Sequence, residues 1–195
     1  MQYTSKGFLS CSILSLLLLS GCATLDKSEC LRGDWTTVGY KDGKRGLDPD
    51  QQMARHTKAC GKHDISPDRA LYDEGFAQGL QVYCTPESGY ELATDEKEYR
   101  GVCPASLEGS FLESYIAGLQ VVLDRLDTDI DDMTHEVDDA EYDLSYLSRQ
   151  KEPDKKKLKE AREELDSARS RLSSEKSNRR KFRRWLDKWT AKTRG

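Results

Sequence analysis

The sequence predicts a mainly α-helical protein with short β-hairpins, in which a small disulfide-stapled α+β module precedes a long antiparallel helical hairpin that forms a coiled coil. Three observations lead to this fold class. Four cysteines are spaced between residues 30 and 103, helix-start and turn signals surround them, and apolar residues then repeat every seven positions.

The N-terminal segment reads as a targeting sequence. Met1 to Gly7 carries one charge, Lys6, and the apolar run from Ile13 to Leu19 follows it. That run is far shorter than the roughly 20 residues that a membrane-spanning helix needs. It stops at small residues rather than at a basic cluster, so we expect residues 1–21 to be a cleaved signal peptide.

The residues that end this segment, Leu19-Ser20-Gly21-Cys22, resemble the lipobox of bacterial lipoproteins. The resemblance implies that lipid is attached to the Cys22 thiol, that the chain is cut before it, and that the new amine is acylated, for example with palmitate. Several acyl chains anchor stably, because each buried methylene contributes about 0.8 kcal/mol. Ala23, where retained lipoproteins carry Asp, implies sorting to the outer membrane, facing the periplasm.

The overall charge excludes some classes of partner. The chain holds 31 basic and 35 acidic side chains, a net charge of −4, so no global attraction to nucleic acid is expected. Charged residues make up 34% of the chain and the mean hydropathy is −0.80, which argues against a large apolar core throughout.

The cysteines indicate an oxidising compartment. Of the six, Cys11 leaves with the signal peptide and Cys22 is consumed by lipid. An exported protein with four others is expected to form two disulfides, for which three pairings are possible. We favour the pairing that closes short, sequential loops, which joins Cys30 with Cys60 and Cys84 with Cys103.

Helix and turn signals organise the module at residues 30–118, which follows a lipidated linker at 22–29. Asp42-Gly43 predicts a β-hairpin, since both residue types tolerate the positive φ of a tight turn. Asp48-Pro49 predicts the start of a helix over residues 49–60. Ser88 to Pro104 is predicted to be a second, looser extended excursion.

A second helix is predicted from the Ser66-Pro67-Asp68 signal to about Tyr83. Gly75 and Gly79 lie on its apolar flank, where a glycine costs about 1 kcal/mol against alanine unless another backbone comes close. Residues 76–82, Phe-Ala-Gln-Gly-Leu-Gln-Val, recur at 115–121 as Tyr-Ile-Ala-Gly-Leu-Gln-Val. We interpret this as two copies of one helical unit that pack glycine face to glycine face.

The module also carries a family resemblance. Its spaced residues are Trp35, Gly39, Asp42, Gly43, Gly46, Cys60, Asp68, Tyr72, Gly75, Gly79, Leu80, Tyr83, Cys84, Tyr99, Gly101, Val102, Cys103, Pro104, Phe111, Tyr115 and Gly118. Over residues of about 30–118 these resemble an uncharacterised bacterial lipoprotein family, domain-of-unknown-function family 2799. The family implies no activity and no functional residues.

Residues 119–190 predict the helical hairpin, and 191–195 form a tail. The apolar a and d positions are Leu119, Leu123, Leu126, Ile130, Met133, Val137, Ala140, Leu144 and Leu147, then Leu158, Ala161, Leu165, Ala168, Leu172, Phe182, Leu186 and Trp189. Glu175 and Arg179 break the second series. Because residues 124–143 are strongly acidic and 175–195 strongly basic, we expect the arms to fold back near Pro153 and pair antiparallel.

Two motifs allow more than one interpretation. His56, Cys60 and His63 could present two imidazoles and a thiolate to zinc, but we expect Cys60 in a disulfide and both histidines facing solvent, with no metal or cofactor. Residues 181–189 mix bases with aromatics, as interfacial membrane helices do. The favoured alternative places Phe182 and Trp189 in the helix seam.

No catalytic motif is evident, and we expect a non-enzymatic protein. The first hypothesis is an envelope lipoprotein whose coiled-coil arm meets a protein or peptidoglycan. The second is a small-ligand or glycan-binding module that presents Trp35, Tyr40, Tyr90 and Tyr99. The third, a hydrolase, would require Asp42, Asp68 and Glu74 to converge in one cleft.

Overall fold

The computed structural model describes residues 25–194, which are mainly helical. The predicted signal peptide and Cys22 lie outside these residues. The helices are α1 Lys27–Arg32, α2 Trp35–Gly43, α3 Pro49–Cys60, α4 Arg69–Tyr83, α5 Pro86–Thr94, α6 Ala105–Ser148 and α7 Lys155–Arg194, and a 3-10 turn, Gly61–His63, follows α3. None of the described helices combines the length and the apolar character that crossing a membrane requires.

The predicted β-hairpin at Asp42 and Gly43 is wrong, because the described residues contain no strand and this segment is the last turn of α2. The Asp34 side chain caps the start of that helix. Gly43 serves packing rather than a turn, since a Cβ there would lie 2.2 Å from the Phe76 carbonyl oxygen. The chain turns a few residues later, at Gly46, whose φ is +60°.

The predicted extended excursion from Ser88 to Pro104 is also wrong over its first part, which is α5. Thr85 caps this helix by accepting a hydrogen bond from the Ser88 N–H at 3.2 Å, and Pro86 occupies the first turn. The dipeptide Thr85-Pro86 is therefore a helix-start signal of the same kind as Asp48-Pro49. Residues 95–104 are irregular and lead into α6.

The helices predicted from capping signals are confirmed. Helix α3 spans residues 49–60 as expected, and Asp48 Oδ1 accepts from the Gln51 N–H at 2.8 Å. Helix α4 ends at Tyr83, and Asp68 Oδ1 accepts from the Leu71 N–H at 3.1 Å. Both starts satisfy backbone donors that the first turn of a helix leaves without partners.

The favoured cysteine pairing is confirmed. Cys30 is bonded to Cys60 and ties α1 to the end of α3, with the two Cα atoms 5.4 Å apart. Cys84 is bonded to Cys103 and ties the end of α4 to the segment before α6, with a Cα separation of 5.7 Å. Loops of this length stabilise a fold by roughly 2 to 4 kcal/mol each.

The recurring glycine-containing segments do not pack against each other, contrary to the expectation from sequence. In α4, a Cβ on Gly75 would lie 1.9 Å from the Thr36 carbonyl oxygen of α2. In α6, a Cβ on Gly118 would lie 2.7 Å from the Ala93 Cβ of α5. Each copy thus packs its glycine face on a short helix from earlier in the chain, α4 on α2 and α6 on α5.

The two helix pairs nevertheless repeat one arrangement. Cβ atoms on Gly79 and Gly118 would lie 2.4 and 2.9 Å from the carbonyl oxygens of Tyr40 and Tyr90, respectively. Gly39 meets the Tyr72 carbonyl oxygen in the first pair as Gly89 meets that of Phe111 in the second. The repeated unit is therefore a pair of closely packed helices, α2 with α4 and α5 with α6, rather than a single helix.

Helices α6 and α7 pack together along their lengths and run in opposite directions. Lys192 Nζ contacts Glu108 Oε2 at 2.6 Å near one end of the pair, and Arg169 contacts Glu141 at 2.7 Å towards the other. At about 1.5 Å per residue the two helices are roughly 66 and 60 Å long. Asp154 caps α7 where the chain reverses.

The apolar positions of this pair fall into two clusters. Leu119, Leu123, Leu126, Phe182, Leu186 and Trp189 join the core of the cysteine-rich module. Val137, Leu165, Ala168 and Leu172 form a distal cluster of buried residues. Glu175 and Arg179 lie between these two groups in the chain, and the Arg179 guanidinium bonds to the Asp127 carboxylate of α6.

Candidate functional site

A small polar recess lies between α2, α3 and the segment before Cys103, with a cavity volume of about 230 Å³. Its lining consists of Asp42, Arg45, Leu47, Gln51, Gln52, Arg55, His56 and Arg100. The lining combines buried polar side chains at the bottom with exposed guanidinium groups around the rim. It holds no serine, threonine or cysteine that could act as a nucleophile.

The bottom of the recess is a buried group of three side chains from three helices. His56 Nε2 of α3 lies 2.7 Å from Asp42 Oδ2 of α2. The Tyr72 hydroxyl of α4 donates to the same oxygen at 3.1 Å. Asp42 is 6% exposed and His56 is 2% exposed. These contacts supply the partners that a carboxylate needs away from water.

The Tyr72 hydroxyl is held as a hydrogen-bond donor. Burial raises the pKa of Tyr72 well above its ordinary value, and the nearby Asp42 carboxylate acts in the same direction. A protonated hydroxyl can donate to Asp42, whereas a phenolate would repel it. The group therefore fixes the geometry of α2, α3 and α4 beneath the recess.

The burial of His56 corrects the expectation that both histidines of this segment face solvent. His63 is only partly buried, but His56 lies on the inner face of α3 together with Gln52 and Cys60. These three residues are spaced four apart, which places them on one helix face. That spacing indicates a buried helix face, but the pattern is hard to recognise in the sequence because two of the three residues, Gln52 and His56, are polar.

The rim of the recess carries three arginines from separate parts of the chain. Arg45 follows α2, Arg55 belongs to α3, and Arg100 precedes Cys103. All three are exposed, and within residues 25–194 none forms an ion pair. An array of guanidinium forks facing a polar cavity is suited to binding oxyanions.

The carboxylates that a hydrolase site would need are not brought together. Asp42 lines the recess, but Asp68 and Glu74 do not. Asp68 is instead the cap of α4, and Glu74 is exposed on that helix. The structure thus assigns separate positions to the three acids considered for catalysis.

The zinc interpretation of His56, Cys60 and His63 also fails. Cys60 is bonded to Cys30, so no thiolate is present as a ligand. Within residues 25–194, no cluster of three or more His, Cys, Asp or Glu side chains is arranged to hold a metal ion.

The four aromatics considered for a ligand-binding surface divide into two groups. Trp35 is 5% exposed and Tyr99 is fully buried, so both belong to the core. Tyr40 and Tyr90 are partly exposed, at 36% and 42%, and occupy equivalent positions in the two repeated helix pairs. The four side chains therefore do not form one surface.

A second buried polar group links α6 to the irregular segment that precedes it. The Tyr99 hydroxyl donates to Glu108 Oε1 at 2.9 Å and accepts from the Cys103 N–H at 2.9 Å. The Tyr115 hydroxyl accepts from the Tyr99 N–H at 3.1 Å and donates to the Lys97 carbonyl oxygen. This group orders the irregular segment at 95–104, on which Arg100 is carried.

The aromatic residues near the end of α7 are explained by packing. Phe182 is fully buried and Trp189 is 4% exposed, as the seam interpretation predicted. Trp185 is partly buried and its ring meets that of Phe182 edge-on, with centroids 5.0 Å apart. Little of this aromatic surface remains for an interfacial membrane contact.

The distal part of the α6–α7 pair carries two exposed aromatics. Tyr142 is 65% exposed and Tyr146 is 56% exposed, one helical turn apart on α6. Tyr146 borders a shallow groove that it shares with Leu147, Lys157 and Ala161. Sequence analysis missed these tyrosines because they lie outside the heptad positions, where polar residues are expected.

These features define a disulfide-linked helical module with a long antiparallel helical extension. Residues 34–120 match the family described as Protein of unknown function (DUF2799), and this segment belongs to that family, as its residues indicated. The match spans α2 to the first part of α6, so it contains both repeated helix pairs. Neither a curated protein nor a solved structure matches the chain.

Proposed function

We propose that this chain is a non-enzymatic lipoprotein of the bacterial outer membrane that presents its α6–α7 coiled-coil arm to a partner protein in the periplasm. The anchor would be lipid on Cys22, as the lipobox indicates. The two disulfides support export, because such bonds persist mainly in oxidising compartments.

The short tether would set the position of the module. Leu25, which is 7% exposed and packs into the core, comes only three positions after Cys22 in the chain. Three residues of extended chain span at most about 11 Å. A lipid anchor at Cys22 would therefore hold the cysteine-rich module against the membrane surface, and the arm would carry any contact made further away.

The observation that carries the proposal is the exposure of Tyr142 and Tyr146 near the distal end of the arm. Tyrosines are enriched in protein interfaces, where a large ring and a hydroxyl contribute together. The rest of the arm surface is dominated by charge, with cross-helix pairs such as Arg171 to Glu136 at 2.8 Å. Two neighbouring exposed rings on such a surface favour a protein partner over the cell-wall polymer.

The test is photo-crosslinking in the native host with the full-length lipoprotein. A photoreactive amino acid is placed at position 142 or 146, and in a matched control at Tyr90, an exposed tyrosine of the module. We expect one discrete adduct from the arm positions. With the crosslinker at 142, the added substitution Tyr146→Ser should weaken that adduct. Equal capture from Tyr90, or no adduct from either arm position, would contradict the proposal.

A further inference from the structure

We propose that the recess lined by Arg45, Arg55 and Arg100 is a binding site for a small oxyanion, a molecule that carries a phosphate or carboxylate group. This site is distinct from the distal arm surface, and it does not depend on what the arm binds.

The rim of the recess carries uncompensated positive charge. Some arginines of the described residues pair with acids, as Arg69 does with Asp50 and Asp73 at 2.8 and 2.7 Å. The three rim arginines have no carboxylate within ion-pairing distance among residues 25–194. The one acid in the lining, Asp42, is buried and already bonded to His56 and Tyr72. Positive charge therefore exceeds negative charge at the mouth of the recess.

The three arginines are brought together by the fold rather than by their spacing in sequence. Arg45 lies just before Gly46, whose φ of +60° turns the chain towards α3. Arg100 lies just before Gly101, whose φ is +75°, and three residues before the Cys84–Cys103 disulfide. Two glycine turns and a disulfide thus hold two of the three guanidinium groups beside α3.

The interior of the recess is small and mainly polar. Gln52 is 4% exposed and still lines the cavity, which places a polar amide inside the recess. Leu47 is the only aliphatic residue of the lining. A cavity of about 230 Å³ is smaller than the roughly 300 to 1,000 Å³ that drug-sized ligands occupy. Its size and polarity both favour a compact anion over an apolar molecule.

The same chemistry is available from a free solute and from the phosphate of a lipid headgroup. The test therefore uses two probes on the mature chain with both disulfides intact and Cys22→Ser, so that no acyl chain is attached. Inorganic phosphate is titrated at constant ionic strength, which screens unspecific attraction. Binding is followed by the NMR signals of the arginine Nε–H groups. Vesicles with and without phosphatidylglycerol serve as the second probe.

We expect phosphate to perturb Arg45, Arg55 and Arg100. The variants Arg45→Gln, Arg55→Gln and Arg100→Gln should each weaken binding about tenfold or more, since hydrogen bonds to charged groups are among the strongest polar contacts. The matched control is Arg162→Gln, an exposed arginine of the arm without an ion pair in the described chain, which should bind as the parent does.

The outcomes separate clearly. Phosphate binding that the rim variants weaken supports the proposal with a free anion as the source. Binding only to phosphatidylglycerol vesicles, lost in the same variants, supports it with a headgroup as the source. The proposal is overturned if neither probe perturbs the rim arginines, or if Arg162→Gln weakens binding as much as the rim variants do. Because the three arginines are exposed, near-UV circular dichroism should show each variant folded.

Discussion

The Trp189 ring of α7 lies against the Tyr99 ring of the disulfide-linked module, with centroids 4.7 Å apart. Trp189 is buried, and the Gly101 backbone approaches the outer edge of its indole. The last turns of the chain thereby form part of the core of its first half. The long α6–α7 pair is built into the module at its base rather than joined to it by a flexible linker.

Replacing this indole should destabilise the whole protein. We expect Trp189→Ala to lower the free energy of unfolding by about 3 to 5 kcal/mol, the usual loss for a buried aromatic side chain. Trp189→Phe should cost less, because the buried indole Nε1 has no hydrogen-bond partner to lose among the described residues. Urea unfolding followed by circular dichroism measures both.

The control for this prediction is Trp185→Ala, which removes a partly exposed indole from the neighbouring turn. It should have a clearly smaller effect. If Trp189→Ala instead unfolds in two separate transitions, the arm first and the module later, the arm and the module are not one cooperative unit.

The glycines between the closely packed helices should tolerate no side chain. A Cβ on Gly75 would lie 1.9 Å from the Thr36 carbonyl oxygen, which is backbone and has no room to move. Gly75→Ala should therefore push α2 away from α4. We expect it to destabilise the module by about 2 kcal/mol or more, since overpacking a core typically costs about 1 to 3 kcal/mol and occasionally more. Thermal unfolding provides the measurement.

A glycine in open space serves as the matched control. Gly109 lies in α6 with no atom within 4 Å of a Cβ added there. Gly109→Ala should instead stabilise the protein by up to about 1 kcal/mol, because alanine loses less backbone entropy in a helix. Similar destabilisation by both substitutions would show that the close packing of α2 on α4 is not the cause.

The parts of the fold that sequence predicted are those set by local chemistry. Asp48 and Asp68 cap the helices expected of them, and the four cysteines between residues 30 and 103 pair over short loops. The apolar residues that repeat every seven positions likewise predict a helix, because they place a continuous apolar stripe on one helix face. Each of these signals is complete within a few neighbouring residues, or depends on a bond that only cysteines form.

What sequence did not predict depends on distant partners. Gly43 has the residue type of a hairpin turn, yet its purpose is to admit the Phe76 backbone of another helix. The spacing of Gln52, His56 and Cys60 places His56 on one face of α3, but only the folded chain shows that Asp42 is its buried partner. The recess arises in the same way, since Arg100 meets Arg45 and Arg55 only in the folded chain.

Stability should fall in strongly alkaline solution. Burial raises the pKa of Tyr83 to about 12, and burial likewise raises the pKa of Tyr115 to about 12. Above pH 10, near the ordinary pKa of 10.0, the unfolded chain releases these protons while the folded chain retains them. The contribution of these two tyrosines to the free energy of unfolding is therefore fully present below pH 10, and it is lost as the pH rises to about 12.

Urea unfolding at a series of pH values from neutral to strongly alkaline measures this loss. Tyr83→Phe should make the free energy of unfolding fall less steeply with pH, since one proton that the folded chain retains is removed. Tyr142→Phe, at an exposed position, should leave this slope unchanged. A stability that stays constant up to pH 12 in the parent protein would refute the assignment.

The lipid anchor can be tested at two adjacent residues. If Cys22 is acylated as proposed, radioactive palmitate should label the full-length chain, and Cys22→Ser should abolish that label and release the protein from the membrane fraction. Ala23→Asp should keep the label but move the protein from the outer to the inner membrane, because residue 23 is the sorting position that the lipobox resemblance implies. Cys11→Ser is the matched control, since it changes a cysteine of the predicted signal peptide and should alter neither labelling nor location. Palmitate labelling that survives Cys22→Ser would place the attachment elsewhere, and it would contradict the proposal that a short tether at Cys22 holds the module at the membrane.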